Sequence, residues 1–371
     1  MSDITKIKLS TILASSQFWW PTIILYYQWQ EIPTEQIYLM LAIYSVCALL
    51  FEYPTGVVAD YFSPKISLII GYFIMTTTFF FQTLHLPLMY YISFFVINAA
   101  AYTLTSGSNT ALLHSVSTNF KHDFAQVKMY SLMMTVFSTI VGGLTIAFDL
   151  RWSLYLSGFC FFLSGVLLLL AKPHSYTRIS GNIFKGGLIG LQHVKANTQL
   201  LYLLVIASLI SGFFMSFKFF YTPLFSAMKL DETSWGFYIA IGVLSSAFGV
   251  HLFKKYSDWD TRLLLLLFLG SFLLIGLVTH PIIALVGMFI AYFFRGYLEA
   301  KLGVEINQAI SSHARASILS LESFLTRIVS TIFTLVLGVL TAQVSFSLLM
   351  VGSAVFLLLV GSYPLLRLKK I

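Results

Sequence analysis

Runs of mainly apolar residues, each long enough to cross a lipid bilayer as a helix, fill most of this 371-residue chain. A helix needs about 20 such residues to cross the hydrocarbon core, because each residue adds about 1.5 Å along the axis. Only 10% of the residues are charged and 58% are hydrophobic, whereas a soluble domain carries about 25% charged residues. We therefore predict an all-α membrane protein with twelve spans, near residues 9–29, 37–58, 66–85, 88–112, 127–148, 152–171, 199–226, 235–253, 263–279, 281–305, 316–341 and 345–366.

The basic residues lie almost entirely on one side of these predicted spans. With a cytoplasmic N-terminus, only Arg151 and Lys229 fall in outer loops, while the segments facing the cytoplasm hold residues such as Lys65 and Arg262. Because positive residues are retained on the cytoplasmic side of a membrane, we predict a multi-pass protein of the bacterial inner membrane with both termini in the cytoplasm. The net charge of +8 then reflects orientation in the lipid bilayer, and we predict no binding of nucleic acid.

The longest polar stretch, residues 172–198, divides the predicted spans into six and six. We predict an N-terminal six-helix bundle over 1–171, a cytoplasmic linker over 172–198 and a C-terminal six-helix bundle over 199–371. The sequence has no Gly-x4-Gly-Lys-Ser/Thr loop, so we do not expect this chain to use ATP directly. Cys47 and Cys160 lie within apolar runs, where a thiol behaves as a small hydrophobe, and we predict no disulfide, no metal site and no other cofactor.

The second predicted span closes with Phe-Glu-Tyr-Pro-Thr-Gly-Val-Val-Ala-Asp, residues 51–60, which place two carboxylates near its end. Gly56, Asp60 and Lys65 match the Gly-x-x-x-Asp-Arg/Lys-x-Gly-Arg-Arg/Lys signature that the major facilitator superfamily carries in the loop after its second span. The chain therefore resembles that family.

Three further landmarks carry the resemblance along the chain. One branch of the family reads Phe-Glu-x-Pro-Thr-Gly-x-x-Ala-Asp at residues 51–60, and the same branch shows Ser-Gly-x-x-x-Ala-Leu-Leu late in span four, matched by residues 106–113. It also shows Asn followed by Arg-Ala-x-x-Leu-Ser between spans ten and eleven, matched by Asn307 and residues 315–320. The chain departs from the family at Tyr61, Ser63 and Pro64, which replace a basic residue, a glycine and a basic residue, and it lacks the acids that members often carry near Thr110 and Ser115.

The resemblance implies two six-helix bundles that open a central site to either side of the membrane in turn, with the loop after span two acting as a latch. We expect Asp60 there to accept hydrogen bonds from a neighbouring helix N-terminus, where a carboxylate is favoured, and the lost basic positions predict a weaker latch. The alternative is that Asp60 and Lys65 only form a solvated turn. Spans two and eleven face each other in the family, so Glu52 can pair with Arg327 in one access state, unless Glu322 is the partner of Arg327. The predicted gating residues are Glu52, Gly56, Asp60, Lys65, Asn307, Arg315 and Arg327.

Ionisable residues inside predicted spans are costly unless they pair or face water, so they indicate a functional site. The resemblance implies that spans one, four, seven and ten line the pathway, and Lys218, Arg295 and Glu299 fall in spans seven and ten on faces that they share with polar residues. The predicted pathway residues are Trp19, Tyr26, Asn98, Tyr102, Asn109, Lys218, Tyr292, Arg295 and Glu299.

Each of these residues also has a purely structural interpretation. Arg295 and Glu299, four residues apart on one helix, can form a closed salt bridge. Lys218 can extend to the outer surface, Asn98 and Asn109 can join neighbouring helices by hydrogen bonds, and Trp19 can serve packing alone.

These patterns predict a secondary transporter that moves a small anionic or amphipathic solute by alternating access. As partners we predict the solute, the lipid bilayer and a coupling proton or ion, and we expect a monomer. The alternatives are a polytopic membrane enzyme acting on lipid, for which His114, His122 and Asp123 are the only candidate residues, and a transport-like sensor or partner subunit. Since these three residues fit no known catalytic motif, we predict that the chain is not an enzyme.

Overall fold

The computed structural model describes residues 2–172, 194, 197–277, 280–310, 315–341 and 343–367. This part of the chain forms fifteen α-helices and two short 3-10 helices, Thr145–Ala147 and Glu232–Ser234, and it contains no strand. The α-helices are α1 (Asp3–Leu13), α2 (Ile23–Trp29), α3 (Thr34–Phe62), α4 (Pro64–Gln82), α5 (Leu88–Thr105), α6 (Ser108–Val116), α7 (Phe120–Leu144), α8 (Arg151–Leu169), α9 (Thr198–Phe217), α10 (Tyr221–Ala227), α11 (Trp235–Lys255), α12 (Thr261–Leu277), α13 (Pro281–Ala309), α14 (Arg315–Leu340) and α15 (Phe346–Arg367).

Ten segments of the described chain are long and apolar enough to cross a membrane, and α12 is a shorter apolar helix. The fold is therefore the all-α, multi-pass membrane architecture that the apolar runs predict. The count of twelve spans stays a prediction, because the first predicted span does not form one long helix.

The spans begin where the sequence supplies capping groups. The side chain of Asn119 accepts a hydrogen bond from the backbone N–H of His122 at the start of α7, and Asn197 does the same for Leu200 at the start of α9. Such caps satisfy N–H groups that have no partner inside the helix. Pro281 opens α13, where the missing N–H of proline costs nothing.

Three of the predicted spans are interrupted in the structure. The region predicted near 9–29 forms α1 and α2 with irregular backbone between them, where Pro21 disfavours helix at the residue before it. The region near 88–112 divides into α5 and α6 at Gly107, whose φ of 75° is a conformation that residues with a Cβ rarely adopt. The region near 199–226 divides into α9 and α10 at Lys218. These three belong to the four spans that the resemblance assigns to the pathway.

The chain divides into two compact units. The first comprises Met1–Ile179 with Asp231–Ala240, and the second comprises Ser180–Leu230 with Ile241–Ile371. In the first unit α4 packs against α5 and α8, and α1 packs against α7 and α8. The second unit is built on α9, which packs against α13, α14 and α15. Most of the predicted linker lies outside the described residues, so the predicted bundle boundaries stay a prediction.

Small residues let α9 and α14 approach closely. A Cβ added at Gly212 would lie 2.6 Å from the carbonyl oxygen of Thr326, which is nearer than real Cβ atoms come. One turn further, the hydroxyl of Ser216 donates to the carbonyl oxygen of Ser330 at 2.7 Å. Helices in a bilayer associate through such close packing and interhelical hydrogen bonds. Since α9 also packs on α13, the packing fixes α13 and α14 around the interrupted end of α9.

Candidate functional site

The second unit gathers charged and aromatic side chains where α9 ends. Lys218 is the C-cap of α9, a position at which a cation interacts favourably with the last carbonyls of a helix. Its ammonium lies 5.0 Å from the ring centroid of Phe219, and the positive charge of Arg295 acts on it. The break after Phe217 therefore places a half-buried lysine beside α13.

Arg295 is held from two sides. Its terminal Nη2 lies 3.0 Å from Oε2 of Glu299, one helical turn away, and its guanidinium carbon lies 4.7 Å from the ring centroid of Phe214 on α9. The Arg295–Glu299 salt bridge is thus present, as the structural interpretation of this pair required. The pair is not fully buried, because 51% of the Glu299 side chain is exposed. The Nε of Arg295, in contrast, is buried and has no hydrogen-bond partner among the described residues.

Tyr292, on the same helix as Arg295, carries a second buried donor. Its side chain is 1% exposed, and its hydroxyl is buried with no hydrogen-bond partner in the described part of the chain. The ring packs edge-on against Phe214, with centroids 4.6 Å apart, and stacks on Tyr221 of α10 at 6.3 Å. A buried donor without an acceptor is costly. Tyr292 and Arg295 therefore present two donors to any group that can accept hydrogen bonds.

Glu322 on α14 is a further member of this cluster that the sequence pattern did not assign to the pathway. The hydroxyl of Ser208 on α9 donates to the carbonyl oxygen of Glu322 at 3.4 Å, and the negative charge of Glu299 acts on the Glu322 carboxyl. The sequence did indicate Glu322 as a candidate, because it is a carboxylate inside a predicted span. It could not indicate which residues surround Glu322, because those depend on how three helices pack.

In the first unit, the predicted pathway amides join helices. Oδ1 of Asn98 accepts from the hydroxyl of Thr78 at 2.6 Å. Oδ1 of Asn109 accepts from the hydroxyls of Tyr72 at 2.9 Å and Thr11 at 3.2 Å. These bonds match the structural interpretation of the two asparagines, and a role in the pathway stays a prediction.

The predicted aromatic residues of this unit differ in their surroundings. Tyr26 is fully buried and donates to the carbonyl oxygen of Gln82 at 2.5 Å, whereas Tyr102 is 39% exposed. Trp19 packs against Phe79, with ring centroids 6.4 Å apart. Of the three, Tyr102 has the side chain most open to a solute.

The structure describes the side chains of only some of the predicted gating residues. Lys65 donates to the carbonyl oxygen of Ala171 at 2.6 Å, so its charge satisfies the C-terminal end of α8. Asn307 is exposed and donates to the carbonyl oxygen of Gly303 at 2.8 Å, while Glu52 and Arg327 are half-buried. For Gly56, Asp60 and Arg315, the structure describes only the helical backbone. The gating assignments stay predictions.

The residues considered for an enzyme are engaged in structural contacts. Asp123 forms a salt bridge with Lys8 at 2.6 Å and accepts from the hydroxyl of Ser117 at 2.5 Å. His122 lies 3.5 Å from Asp123, and 71% of its side chain is exposed. In the described part of the chain, no group of three histidine, cysteine or acidic residues could hold a metal ion.

A multi-pass helical protein with interrupted spans and a charged cluster beside one interruption has the architecture of a membrane transporter. The chain belongs to the Major Facilitator Superfamily, whose sequence model matches residues 9–321. It is a membrane transporter and not an enzyme. No curated protein matches the chain in sequence.

Several solved structures share the fold. The nucleoside transporter NupG matches with a TM-score of 0.79 and 16% identity over 100% of both chains, and a mutant of it matches with 0.81 and 15% over 99% of this chain and 100% of that one. An inward-facing, unoccupied bacterial homologue of the human lysosomal transporter Spinster matches with 0.74 and 14% over 99% of this chain and 96% of that one. At these identities the likeness shows the fold alone.

Proposed function

We propose that this transporter carries a small solute with an anionic group and an apolar, aromatic-compatible body across the bacterial inner membrane by alternating access. The observation that carries the proposal is the pair of buried donors, the Tyr292 hydroxyl and the Arg295 Nε, beside the cations Lys218 and Arg295. Both donors need an acceptor, and both cations favour one that is negatively charged.

The chemistry of the cluster narrows the solute class. A carboxylate or phosphate oxygen accepts hydrogen bonds strongly from a guanidinium, and such charge-assisted bonds are about twice as strong as neutral ones. Phe214, Tyr221 and Tyr292 form aromatic contacts with one another beside these donors. Aromatic faces favour a planar or apolar portion of the solute. An aromatic carboxylate or phosphate ester would meet both demands.

The structural neighbours do not supply the solute. Nucleosides, for which NupG is named, are uncharged, so the two cations favour a different class for this chain. The proposed site lies entirely within the second unit.

The experiment is a binding screen followed by transport. Purified protein is tested by thermal shift with benzoate, phenylacetate and phenyl phosphate, and with benzamide as the uncharged match, because a ligand of the folded state raises its stability by mass action. We expect the anions, but not benzamide, to raise the unfolding temperature. Counterflow of the best labelled anion into proteoliposomes then tests transport. If none of these anions raises the unfolding temperature, the proposed solute class is wrong.

Two substitutions test the site itself. Lys218→Met and Arg295→Gln should each weaken binding of the anion by roughly 2 kcal/mol, about thirtyfold, since each removes one partner of a desolvated charge pair. Arg295→Lys should restore affinity only in part, because an ammonium cannot replace the planar fork of a guanidinium. Lys128→Met and Arg262→Gln are the matched controls. Normal affinity in folded Lys218→Met and Arg295→Gln protein would end the anion-site proposal.

A further inference from the structure

A groove on the second unit is lined only by apolar residues. It lies between α9, α12 and α15, and its empty volume, including its opening to the surface, is about 270 Å³. The residues that line it are isoleucine, leucine, phenylalanine and glycine, among them Ile206, Leu265, Leu357 and Gly361. A site for a polar solute needs a few hydrogen-bonding groups that converge on the ligand. The side chains of this groove carry no donor and no acceptor, so the groove suits a hydrocarbon chain.

Gly361 keeps the groove open on α15. Among the described residues, a Cβ added at this glycine would meet one heavy atom within 4 Å, Cδ2 of Leu265 on α12, at 3.9 Å. Gly361 is nevertheless buried. Protein interiors are close-packed and leave few spaces of this kind. The space beside Gly361 therefore has room for methylene groups that the protein itself does not supply.

The starts of α9 and α12 and the end of α15 lie together at one end of the groove. Gln199, the second residue of α9, donates from Nε2 to the carbonyl oxygen of Arg367, the last residue of α15, at 3.1 Å. Near the end of α12, a Cβ added at Gly276 would lie 2.9 Å from the carbonyl oxygen of Ser347, near the start of α15. Since α12 and α15 therefore run antiparallel, the start of α12 also lies at the end of α15.

The groove lies at the depth of a lipid acyl chain. Leu265 is four residues, or about 6 Å, from the start of α12, and Leu357 is ten residues, or about 15 Å, from the end of α15. One leaflet contributes about 15 Å of hydrocarbon, half of a core of about 30 Å. Leu266 and Leu358, which follow these two residues, are 52% and 41% exposed, as expected for a surface in contact with lipid. The groove therefore faces the hydrocarbon of one leaflet.

Aromatic and basic side chains lie where the groove meets the helix ends. The ring of Tyr363 packs edge-on against that of Tyr202, with centroids 6.0 Å apart, and the guanidinium carbon of Arg367 lies 5.9 Å from the Tyr363 centroid. Tyr202 precedes Ile206, a residue of the groove, by about one helical turn. Tyrosine is enriched at the level of the lipid headgroups, so a phospholipid with its chain in the groove would have its headgroup beside these side chains.

Arg367 gives this end of the groove a net positive charge. In the described first turns of α9 and α12 and the last turn of α15, the charged residues are Arg262 and Arg367. Asp260 directly precedes α12 and accepts a hydrogen bond from the backbone N–H of Arg262 at 2.7 Å, so these two opposite charges offset each other. The charge of Arg367 remains, and a guanidinium binds phosphate oxygens through two parallel hydrogen bonds. Basic pockets between membrane helices bind anionic lipid headgroups in this way.

We propose that the groove between α9, α12 and α15 binds one acyl chain of an anionic phospholipid, whose phosphate contacts Arg367 beside Tyr202 and Tyr363. The chain occupies the space that Gly361 leaves open, and the lipid thereby joins three helices of the second unit. The inference does not depend on the proposed solute, because the groove contains none of the residues proposed to bind it.

The test measures how lipids change thermal stability. Purified protein in a neutral detergent is unfolded with added dioleoyl phosphatidylglycerol, with dioleoyl phosphatidylcholine, which has the same chains but no net charge, or with glycerol 3-phosphate, which has no chain. A ligand of the folded state raises the unfolding temperature by mass action. We expect phosphatidylglycerol to raise it, phosphatidylcholine to need about fivefold higher concentrations for the same rise, since one basic residue adds a modest attraction, and glycerol 3-phosphate to have no effect.

Two substitutions test the groove and its charged end separately. Gly361→Leu fills the groove and should abolish the rise that phosphatidylglycerol causes, even though leucine favours the helix and can raise the unfolding temperature without lipid. Gly352→Leu is the matched control, because it makes the same change at an exposed glycine of α15 that also has open space around its Cβ, and it should respond as the wild type. Arg367→Gln should respond equally to the two lipids. It also keeps the proposal testable should Gly361→Leu not fold.

Three results would overturn the proposal. An equal rise with phosphatidylglycerol in Gly361→Leu and in the wild type would place the lipid elsewhere. Equal responses of the wild type to the two lipids would exclude the anionic class, and a response to glycerol 3-phosphate would assign Arg367 to a soluble phosphate ester. None of these results bears on the proposed function, because the assay contains no solute.

Discussion

Ser63 occupies a backbone conformation that suits glycine. Its φ of 136° and ψ of 153° lie in a region that is essentially restricted to glycine. The family signature has glycine at this position, so the structure gives the physical reason for that preference. Ser63 compensates in part, because its hydroxyl accepts a hydrogen bond from the backbone N–H of Ile66 and caps α4.

The first prediction follows from this balance. Ser63→Gly should raise the free energy of unfolding by about 1 kcal/mol, since relief of strain worth about 1–3 kcal/mol outweighs the loss of a cap, which glycine replaces at a cost of a few tenths. Ser63→Ala keeps the strain and loses the cap, and it should lower stability by about 1 kcal/mol. Thermal unfolding of the purified variants measures both. Ser93→Gly, in the ordinary helical backbone of α5, is the control and should be destabilising. If Ser63→Gly is less stable than the wild type, the backbone at Ser63 is not strained as we infer.

Individual site residues differ in how far the sequence could predict them. The Arg295–Glu299 pair could be predicted from the spacing of four residues on one helix, without knowledge of how the helices pack. The contact with Phe214 and the nearness of Glu322 depend on how α13 and α14 pack on α9. No pattern within one helix encodes that packing.

At the scale of elements, the existence of the spans was predictable and their interruptions were only partly so. A bilayer requires long apolar helices because backbone groups must be satisfied within each segment. Pro21 and Gly107 are recognisable signals for two interruptions. The third, at Lys218, also has a signal: Pro223, in the first turn of α10, has no N–H to donate to the carbonyl oxygen of Phe219 four residues earlier, and its ring clashes with that carbonyl. What the sequence does not show is the packing that buries Phe217 and Phe220, both 0% exposed, at this break.

The second prediction isolates the conformational role of Gly107. Gly107→Ala should lower the free energy of unfolding by about 1–2 kcal/mol, the cost of a positive φ for a residue with a Cβ. The new methyl group would meet no atom within 4 Å, so a steric clash cannot be the cause. Gly352→Ala is the matched control: it also has open space around its Cβ, but it lies within α15. There alanine should raise stability by up to about 1 kcal/mol. Equal effects of the two substitutions would show that the φ of Gly107 is unimportant.

At the scale of the whole molecule, the charges at the two ends of α11 are distributed as the predicted orientation in the membrane requires. Asp231 and Glu232 precede this helix, and Lys254 and Lys255 form its last turn. Because positive residues are retained in the cytoplasm, the start of α11 should face outward and its end inward. On the predicted outer side, Arg151 is paired with Asp149 at 2.8 Å, and hydrogen bonds from Arg151 lower the pKa of Asp149 below its ordinary value.

The last prediction tests this orientation with two matched cysteine substitutions in a Cys47→Ser, Cys160→Ser background. Glu232→Cys and Asp258→Cys replace exposed acids on opposite ends of α11. A membrane-impermeant maleimide added to intact cells should label Glu232→Cys, whereas Asp258→Cys should react only after permeabilisation, since a charged reagent cannot cross the hydrocarbon core. The background protein without added cysteine controls for unspecific labelling, and denatured samples confirm equal abundance. Labelling of Asp258→Cys in intact cells would place the end of α11 outside, and the assignment of both termini to the cytoplasm would then be wrong.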